Sequence, residues 1–161
     1  MSTKGKIAGA VALGALIVAT GLASSAIATP GSGNVVTSDS ASGSLDGTDN
    51  GPSKVSQDGI ELKTKKETTV STFDLTYPPG SFSGWHSHPG IVIVVVKSGS
   101  VVRRTGCDAG EVFTVNQSFT EVGPHYVSNP GTQPAVLSIT RIFPSSVPPS
   151  LRYEEPAPVC R

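Results

Sequence analysis

The sequence predicts an all-β domain, either a small barrel or a sandwich. From about residue 59 onward, short stretches rich in β-branched and aromatic residues recur, with Gly, Pro and Asn between them. No window shows the apolar period of a sustained helix. Repeated short strands separated by turn residues are typical of these two architectures.

The strands are predicted in this order: 60–63, 70–77, 91–96, 101–104, 111–115, 118–121, 126–128 and 135–142. Alternation along 70–77 places Phe73, Leu75 and Tyr77 on one face. Ser98-Gly99 predicts a turn that returns 101–104 against 91–96 as a hairpin.

The C-terminal stretch 144–158 is rich in proline. Proline lacks the N–H that an interior strand needs, so this stretch is predicted to lie over the surface as an extended strap. The predicted domain therefore spans 59–161, which is long enough for one small core.

The N-terminal residues 1–28 are typical of a signal peptide. Lys4 and Lys6 precede an apolar and small-residue stretch at 7–23, and Ala-Ile-Ala at 26–28 fits the small-x-small cleavage rule. A retained membrane anchor is the alternative, because the stretch is near the lower limit for spanning. Its Gly and Ala content favours cleavage, which predicts a secreted or cell-envelope protein without a stable membrane span.

Residues 29–58 are dominated by Gly, Ser, Thr, Asp and Asn. Such a composition buries too little apolar surface to offset the entropy of ordering the chain. We therefore predict a flexible spacer between the signal peptide and the domain.

The charge balance argues against nucleic-acid binding. The 161 residues include 12 Lys and Arg against 12 Asp and Glu. Loss of 1–28 would leave 10 basic against 12 acidic residues, a formal charge of about −2. A nearly neutral chain with few lysines offers neither a basic track for nucleic acid nor a polybasic membrane surface.

The chain has two cysteines, Cys107 in a turn-like stretch and Cys160 next to the C terminus. In an oxidising compartment an even pair more often indicates a disulfide than free thiols. A disulfide between them would fix the C-terminal strap. A reactive-thiol role for either cysteine is the alternative.

Three histidines are the candidate metal ligands. His86 and His88 stand two residues apart beside an apolar strand, and side chains at that spacing in extended backbone point the same way. His125 lies where a further strand could bring it to the same place. Neutral imidazoles that converge in this way suit a divalent transition metal. The alternative is that each is a hydrogen-bonded core or surface histidine.

The histidines and the glycines around them resemble the sequence motifs of a known family, the cupins. The first cupin motif has Gly, five residues, His-x-His, three or four residues, Glu, six residues and Gly. Gly80, His86, His88 and Gly99 stand at these intervals, while Val92 occupies the position of the family's Glu.

The second motif ends in His, three residues and Asn, which His125 and Asn129 match. The family's preceding Pro-x-Gly is not reproduced. This resemblance covers 70–143. The segment at 119–121, the run at 85–90 and the cysteine next to the C terminus make the chain similar to small exported single-domain bacterial cupins.

The resemblance implies an antiparallel jelly-roll β-barrel with a divalent metal bound by His86, His88 and His125. Iron, zinc, manganese, nickel and copper are all candidate ions. Because position 92 lacks the carboxylate, Glu121 is a candidate replacement ligand; a solvated loop carboxylate is the alternative for this residue.

The sequence is compatible with two classes of function and with one purely structural role. The first is a metal-dependent enzyme, oxygenase-like or isomerase-type, that acts on a small molecule. The second is a non-catalytic module that holds a small ligand or the metal, and the third is a metal-free structural barrel. Exposed strand edges would also allow a homodimer.

Overall fold

The computed structural model describes residues 31–36, 41–45, 52–148 and 151–160. Every regular element in these ranges is a strand, so the all-β prediction is confirmed. Within the same ranges no helix is long and apolar enough to cross a membrane. The predicted signal peptide, 1–28, lies outside the described residues.

The strands follow the predicted order closely. In chain order they are β1 (Val35–Val36), β2 (Ala41–Ser44), β3 (Lys54–Gln57), β4 (Ile60–Lys63), β5 (Thr68–Tyr77), β6 (His86–Ser87), β7 (Ile91–Ser98), β8 (Ser100–Arg104), β9 (Glu111–Thr114), β10 (Ser118–Glu121), β11 (Tyr126–Ser128), β12 (Ala135–Pro144) and β13 (Tyr153–Glu154).

The largest sheet has six strands in the order β1-β5-β12-β7-β10, with β2 also paired to β5. All of its pairings are antiparallel. Burial alternates along β12, so that Ala135, Leu137, Ile139, Arg141 and Phe143 are its buried residues. This period of two gives the sheet one inner face, and Arg141 is the only charged member of that row on β12.

A second sheet, β11-β8-β9, completes the core. Its Val101, Phe113 and Val127 join the buried side chains of the large sheet in one hydrophobic cluster. Phe113 packs on Phe119 of β10 with ring centroids 4.5 Å apart, which links the two sheets directly. The hydrogen-bonded ladders of the described residues belong to separate sheets, so closure into a jelly-roll barrel stays a prediction.

The predicted β7–β8 hairpin is wrong. Both edges of β7 are already paired, one with β12 and the other with β10, and β8 pairs with β9 and β11 instead. The chain does turn at Gly99, which has φ +71° and lies so near β12 that a Cβ would be 2.5 Å from the Pro134 carbonyl oxygen. The turn therefore carries the chain from one sheet to the other.

Part of the predicted spacer forms strands. β1 and β2 pair with the outer edge of β5, and β3 forms a hairpin with β4. β2 and β3 are mostly polar and are exposed, in keeping with the composition of 29–58. The boundaries at 28 and 58 stay a prediction.

The predicted disulfide between Cys107 and Cys160 is confirmed, with their Cα atoms 5.5 Å apart. The C-terminal part of the chain that it holds, residues 151–160, continues the predicted strap and runs along β6. There β13 pairs with β6 in antiparallel register, and the Glu155 N–H donates to the Trp85 carbonyl at 2.9 Å. The strap is thus attached to the short strand that begins with His86.

Candidate metal centre

The three histidines meet at one end of the core. His86 and His125 form an antiparallel bridge in which each backbone N–H donates to the other's carbonyl, at 3.0 and 2.9 Å. His88 follows two residues after His86, and their ring centroids are 4.7 Å apart. One ring nitrogen from each of the three histidines lies within 4.8 Å of the others. The predicted convergence is therefore present in the structure.

Backbone carbonyls fix the ring orientations. Each Nδ1 lies at hydrogen-bond distance from one carbonyl oxygen: His86 with Gly84 at 3.0 Å, His125 with Gly123 at 2.8 Å, and His88 with Leu151 at 3.4 Å. A neutral imidazole that donates its Nδ1–H keeps a lone pair on Nε2. All three rings thus turn an acceptor nitrogen towards their common centre, as metal-binding histidines do.

Glu121 adds a fourth acceptor. Its Oε2 lies 3.3 Å from Nε2 of His125 and 4.0 Å from Nε2 of His88. The residue is only 9% exposed at the end of β10, which contradicts the alternative of a solvated loop carboxylate. In the neutral ring, His125 Nε2 is buried without a hydrogen-bond partner. A buried lone pair facing a carboxylate is unfavourable unless a proton or a cation lies between them.

Burial keeps two of the rings neutral. It lowers the pKa of His86 to about 3, with the charge of His125 as the next cause. It lowers the pKa of His88 to about 4, with the positive charge of Arg141 as the next cause. Neutral imidazole is the state that a metal ion requires.

His125 behaves differently because of its neighbour. Burial lowers its pKa, but the hydrogen bond and negative charge of Glu121 outweigh burial, so the pKa is raised. When His125 is protonated, its Nε2–H can donate to the carboxylate. The pair thus holds a proton at the place where a metal ion would compete with it.

The cupin motif has its Glu at the position of Val92, on β7. Glu121 lies on the neighbouring strand, β10. In the β10–β7 ladder, Glu121 is directly opposite Val92. Residues directly opposite in an antiparallel pair share a face, with Cβ atoms about 5 Å apart. Val92 is 1% exposed and contributes to the same inner face. Glu121 therefore places a carboxylate on the same face as the motif position, one strand away.

A cavity of about 250 Å³ opens beside the histidines. Its polar lining includes two arginines, a tyrosine, a serine and an asparagine that sequence reasoning did not assign to the site: Arg141, Arg152, Tyr77, Ser83 and Asn34. The apolar lining is formed by Phe73, Leu75, Val92, Leu137 and Ile139. One signal for Arg141 was available, since the inward row of β12 places it between Ile139 and Phe143.

The two motif regions lie side by side. The Gly80 N–H donates to the Asn129 carbonyl at 2.8 Å, and the Asn129 N–H donates to the Ser81 carbonyl at 2.9 Å. The Asn129 side chain behaves as predicted for a turn residue: its Nδ2 donates to the carbonyls of Tyr77 and Gln133, each at 2.8 Å. These bonds set the beginning of one motif against the end of the other.

No protein-family model matches the chain, and a search of curated proteins gives no match. Cupin domains are among the solved structures that match. A Cupin_2 domain of an XRE-family transcriptional regulator from Enterobacter cloacae is 25% identical, with a TM-score of 0.38, over 46% of this chain and 80% of that one. A Bordetella pertussis cupin domain is 26% identical, with a TM-score of 0.39, over 59% of this chain and 96% of that one.

A cupin-like protein from Thermotoga maritima is 18% identical, with a TM-score of 0.44, over 70% of this chain and 90% of that one. Because these TM-scores are below 0.5, the likeness to cupins rests on the motif residues and on the geometry of the three histidines. In these features the chain resembles the cupins. The chain departs from the cupin pattern at Val92, and Glu121 lies directly opposite that position on the neighbouring strand.

Proposed function

We propose that this chain binds one divalent metal ion through Nε2 of His86, His88 and His125, with the Glu121 carboxylate as a fourth ligand. The observation that supports this is the buried set of acceptors. Three ring nitrogens and one carboxylate oxygen lie close to the same point. When the histidines are neutral, all four atoms are hydrogen-bond acceptors and none is a donor. A cation satisfies all four at once.

The ligand atoms limit the range of candidate metal ions but do not select one of them. Imidazole suits zinc, copper, iron and nickel, and a carboxylate extends the range to manganese. A metal held there would act as a Lewis acid towards an oxygen of a small molecule, or would support oxygen chemistry if it is redox-active. The protein's own contribution is to orient the three rings and to keep His86 and His88 neutral.

The cavity beside the histidines supports a small-molecule function. At about 250 Å³ it is below the size of most sites for drug-sized ligands, so the ligand is small. We infer a metal-dependent small-molecule cupin, either oxygenase-like or isomerase-type.

One observation favours a non-catalytic ligand-binding module as the second candidate. Among the described residues that line the cavity, Glu121 is the only carboxylate. If it binds the metal, it leaves no second acidic side chain in this lining to serve as a general acid or base. Turnover of a small substrate by the metal-loaded protein would exclude this candidate.

We further propose that the chain works outside the cytoplasm and closes as a jelly-roll barrel. The disulfide between Cys107 and Cys160 supports export, because such bonds persist in oxidising compartments. The predicted signal peptide at 1–28 would provide the route. The single core shared by the two sheets supports barrel closure.

Zinc titration of the chelator-treated protein tests the ligand set. We expect one zinc ion per chain by isothermal calorimetry, and an affinity loss of about 100-fold or more when any one of the three histidines is replaced by Ala. Glu121→Gln should weaken binding by about tenfold, because it removes the charge but keeps the shape. Glu111→Gln is the matched control, since this exposed carboxylate pairs with Arg103 away from the histidines. Equal affinities for the Glu121 and Glu111 variants would remove Glu121 from the ligand set.

A further inference from the structure

The backbone carbonyl that orients the His86 ring is itself held by a second side chain. This carbonyl belongs to Gly84, which has φ +71°, a conformation that glycine adopts without strain. His86 Nδ1 lies 3.0 Å from its oxygen, and the Ser83 hydroxyl donates to the same oxygen at 2.8 Å. The oxygen thus accepts from a candidate metal ligand on one side and from a buried hydroxyl on the other.

The hydrogen bonds of Ser83 have a definite direction. Its side chain is 1% exposed, and its Oγ accepts from the Val127 N–H at 2.9 Å. A serine hydroxyl has one proton and two lone pairs, and here the proton is directed to the Gly84 carbonyl. One lone pair is left, and the remaining side-chain partner of Ser83 is Tyr77. Tyr77 is therefore the donor in the bond between the two hydroxyls.

Tyr77 extends these hydrogen bonds to the N-terminal part of the chain. It is buried and lines the cavity beside the histidines. Burial raises its pKa, with the negative charge of Glu121 as the next cause, so the hydroxyl keeps its proton. The second side-chain partner of Tyr77 is Asn34. Since the phenol proton is directed to Ser83, the Asn34 amide donates to the phenol oxygen.

Strand pairing brings Asn34 to this place. In the β1–β5 ladder Val35 is opposite Thr76, so the residues next to them, Asn34 and Tyr77, are neighbours across the two strands. Asn34 also lines the cavity. A stretch whose composition predicts a spacer therefore supplies the outermost member of the hydrogen-bonded chain.

The N-terminal segment, residues 31–36, also packs directly on the residues before His86. Ser32 and Phe82 exchange backbone hydrogen bonds at 2.8 and 2.9 Å. Gly31 lies so close to Ser83 that a Cβ would be 2.4 Å from the Ser83 carbonyl oxygen. Only glycine allows this approach.

We propose that Asn34, Tyr77 and Ser83 are positioning residues for the metal ligand His86, and that the N-terminal segment is thereby a functional part of the metal centre. Ser83 fixes the Gly84 carbonyl, and that carbonyl keeps the proton of His86 on Nδ1. The lone pair of Nε2 then stays directed at the metal site. This role rests on the metal-binding function proposed above.

Zinc titration of hydroxyl variants tests the order of the hydrogen bonds. Ser83→Ala should weaken zinc binding by about tenfold and Tyr77→Phe by about threefold, because the influence on the metal ligand declines with each intervening bond. Since the two hydroxyls act in series, the double variant should bind zinc no more weakly than Ser83→Ala alone. Tyr126→Phe is the matched control, because its ring stacks on Phe82 and it is absent from the described lining of the cavity.

A methyl group added at Gly31 tests the segment without removing any hydrogen-bonding group. In Gly31→Ala the new Cβ would meet the Ser83 carbonyl oxygen, so the segment has to move away. We expect zinc binding to weaken by about as much as in Tyr77→Phe. Gly43→Ala in β2 is the matched control and should bind zinc like the wild type, since no described atom lies within 4 Å of its Cβ position.

The His86 ring provides a readout that needs no metal. Nitrogen-15 NMR of the metal-free protein distinguishes an imidazole protonated on Nδ1 from one protonated on Nε2. We expect His86 to be protonated on Nδ1 in the wild type and partly on Nε2 in Ser83→Ala and in Gly31→Ala. His88 is the internal control and should not change, because its Nδ1 faces the Leu151 carbonyl instead.

The positioning role is refuted if folded Tyr77→Phe and Gly31→Ala both bind zinc like the wild type, or if the effects of Tyr77→Phe and Ser83→Ala multiply in the double variant. Near-ultraviolet circular dichroism establishes folding. If Ser83→Ala does not fold, because the Val127 N–H loses its partner, the two other single variants decide. A wild-type chain that holds no zinc would refute the metal site instead. The His86 tautomer then decides alone: dependence on Gly31 and Ser83 supports the positioning role, and independence refutes it.

Discussion

Burial sets the protonation state of His86 and His88, and this makes the stability of the metal-free chain depend on pH. Their folded-state pKa values, about 3 and about 4, lie below the ordinary histidine value near 6.5. Between those values the unfolded state binds more protons than the folded state. Stability is therefore fully present above pH 6.5 and falls as the pH decreases, by up to about 1.4 kcal/mol per pH unit for each histidine.

The pKa of His125 is shifted in the opposite direction, so this residue does not contribute to the loss of stability below pH 6.5. Its pKa is raised, so both states are protonated below pH 6.5 and its contribution is lost only as the pH rises above that value. The charged side chains that face the three rings are Glu121, Arg141 and Arg152. Urea unfolding of chelator-treated protein at several pH values measures the slope. The slope should largely disappear in His86→Asn/His88→Asn, and an unchanged slope would show that other groups cause it.

At the residue scale, the sequence was sufficient for the histidines and insufficient for the arginines. His86 and His88 could be predicted because their spacing alone determines that they share a face. Arg141 had only the weak signal of its place in an alternating strand, and Arg152 had none, because arginines are usually solvated and only the tertiary structure places these two at the cavity.

At the scale of elements, the C-terminal strap connects the disulfide to the metal centre. The Leu151 carbonyl lies 3.4 Å from His88 Nδ1 and accepts a hydrogen bond from Arg141. The disulfide closes a loop with a sequence separation of 53 residues. Cys160→Ser should lower the free energy of unfolding by about 4 kcal/mol on the chain-entropy model.

The same variant should weaken zinc binding by about tenfold, because His88 loses the partner that orients its ring. Calorimetric titration of Cys160→Ser measures this, and reductant-treated wild-type protein should reproduce it. Reductant added to Cys160→Ser is the control and should change nothing. Wild-type zinc affinity in Cys160→Ser would show that the strap holds its position without the disulfide.

The turn at Gly99 offers a second test at this scale. Alanine there would meet both a φ of +71° and the Pro134 carbonyl oxygen at 2.5 Å. We expect Gly99→Ala to destabilise the fold by roughly 2 kcal/mol or more in denaturant unfolding. Gly106→Ala is the matched control, since no atom lies within 4 Å of its Cβ position. Equal stabilities would mean that β12 can move to accept the methyl group.

Most strands could be predicted because turn residues interrupt the apolar alternation at regular places. Their pairing could not be predicted in the same way. The Ser98-Gly99 turn is compatible both with a hairpin and with a crossing between sheets, and local sequence does not distinguish them. The choice is made by β10 and β12, which come later in the chain and pair with both edges of β7, so that no edge is left for β8.

In the molecule as a whole, the two sheets share one core, and three imidazoles and a carboxylate converge at its end as the proposed metal ligands. The measurement that tests this most directly is the metal content of the purified exported protein, beside the His86→Ala/His88→Ala variant. We predict close to one transition-metal ion per chain in the wild type and none in the variant, with both proteins folded. A folded wild-type protein without metal, even after divalent ions are supplied, would contradict the proposed metal site.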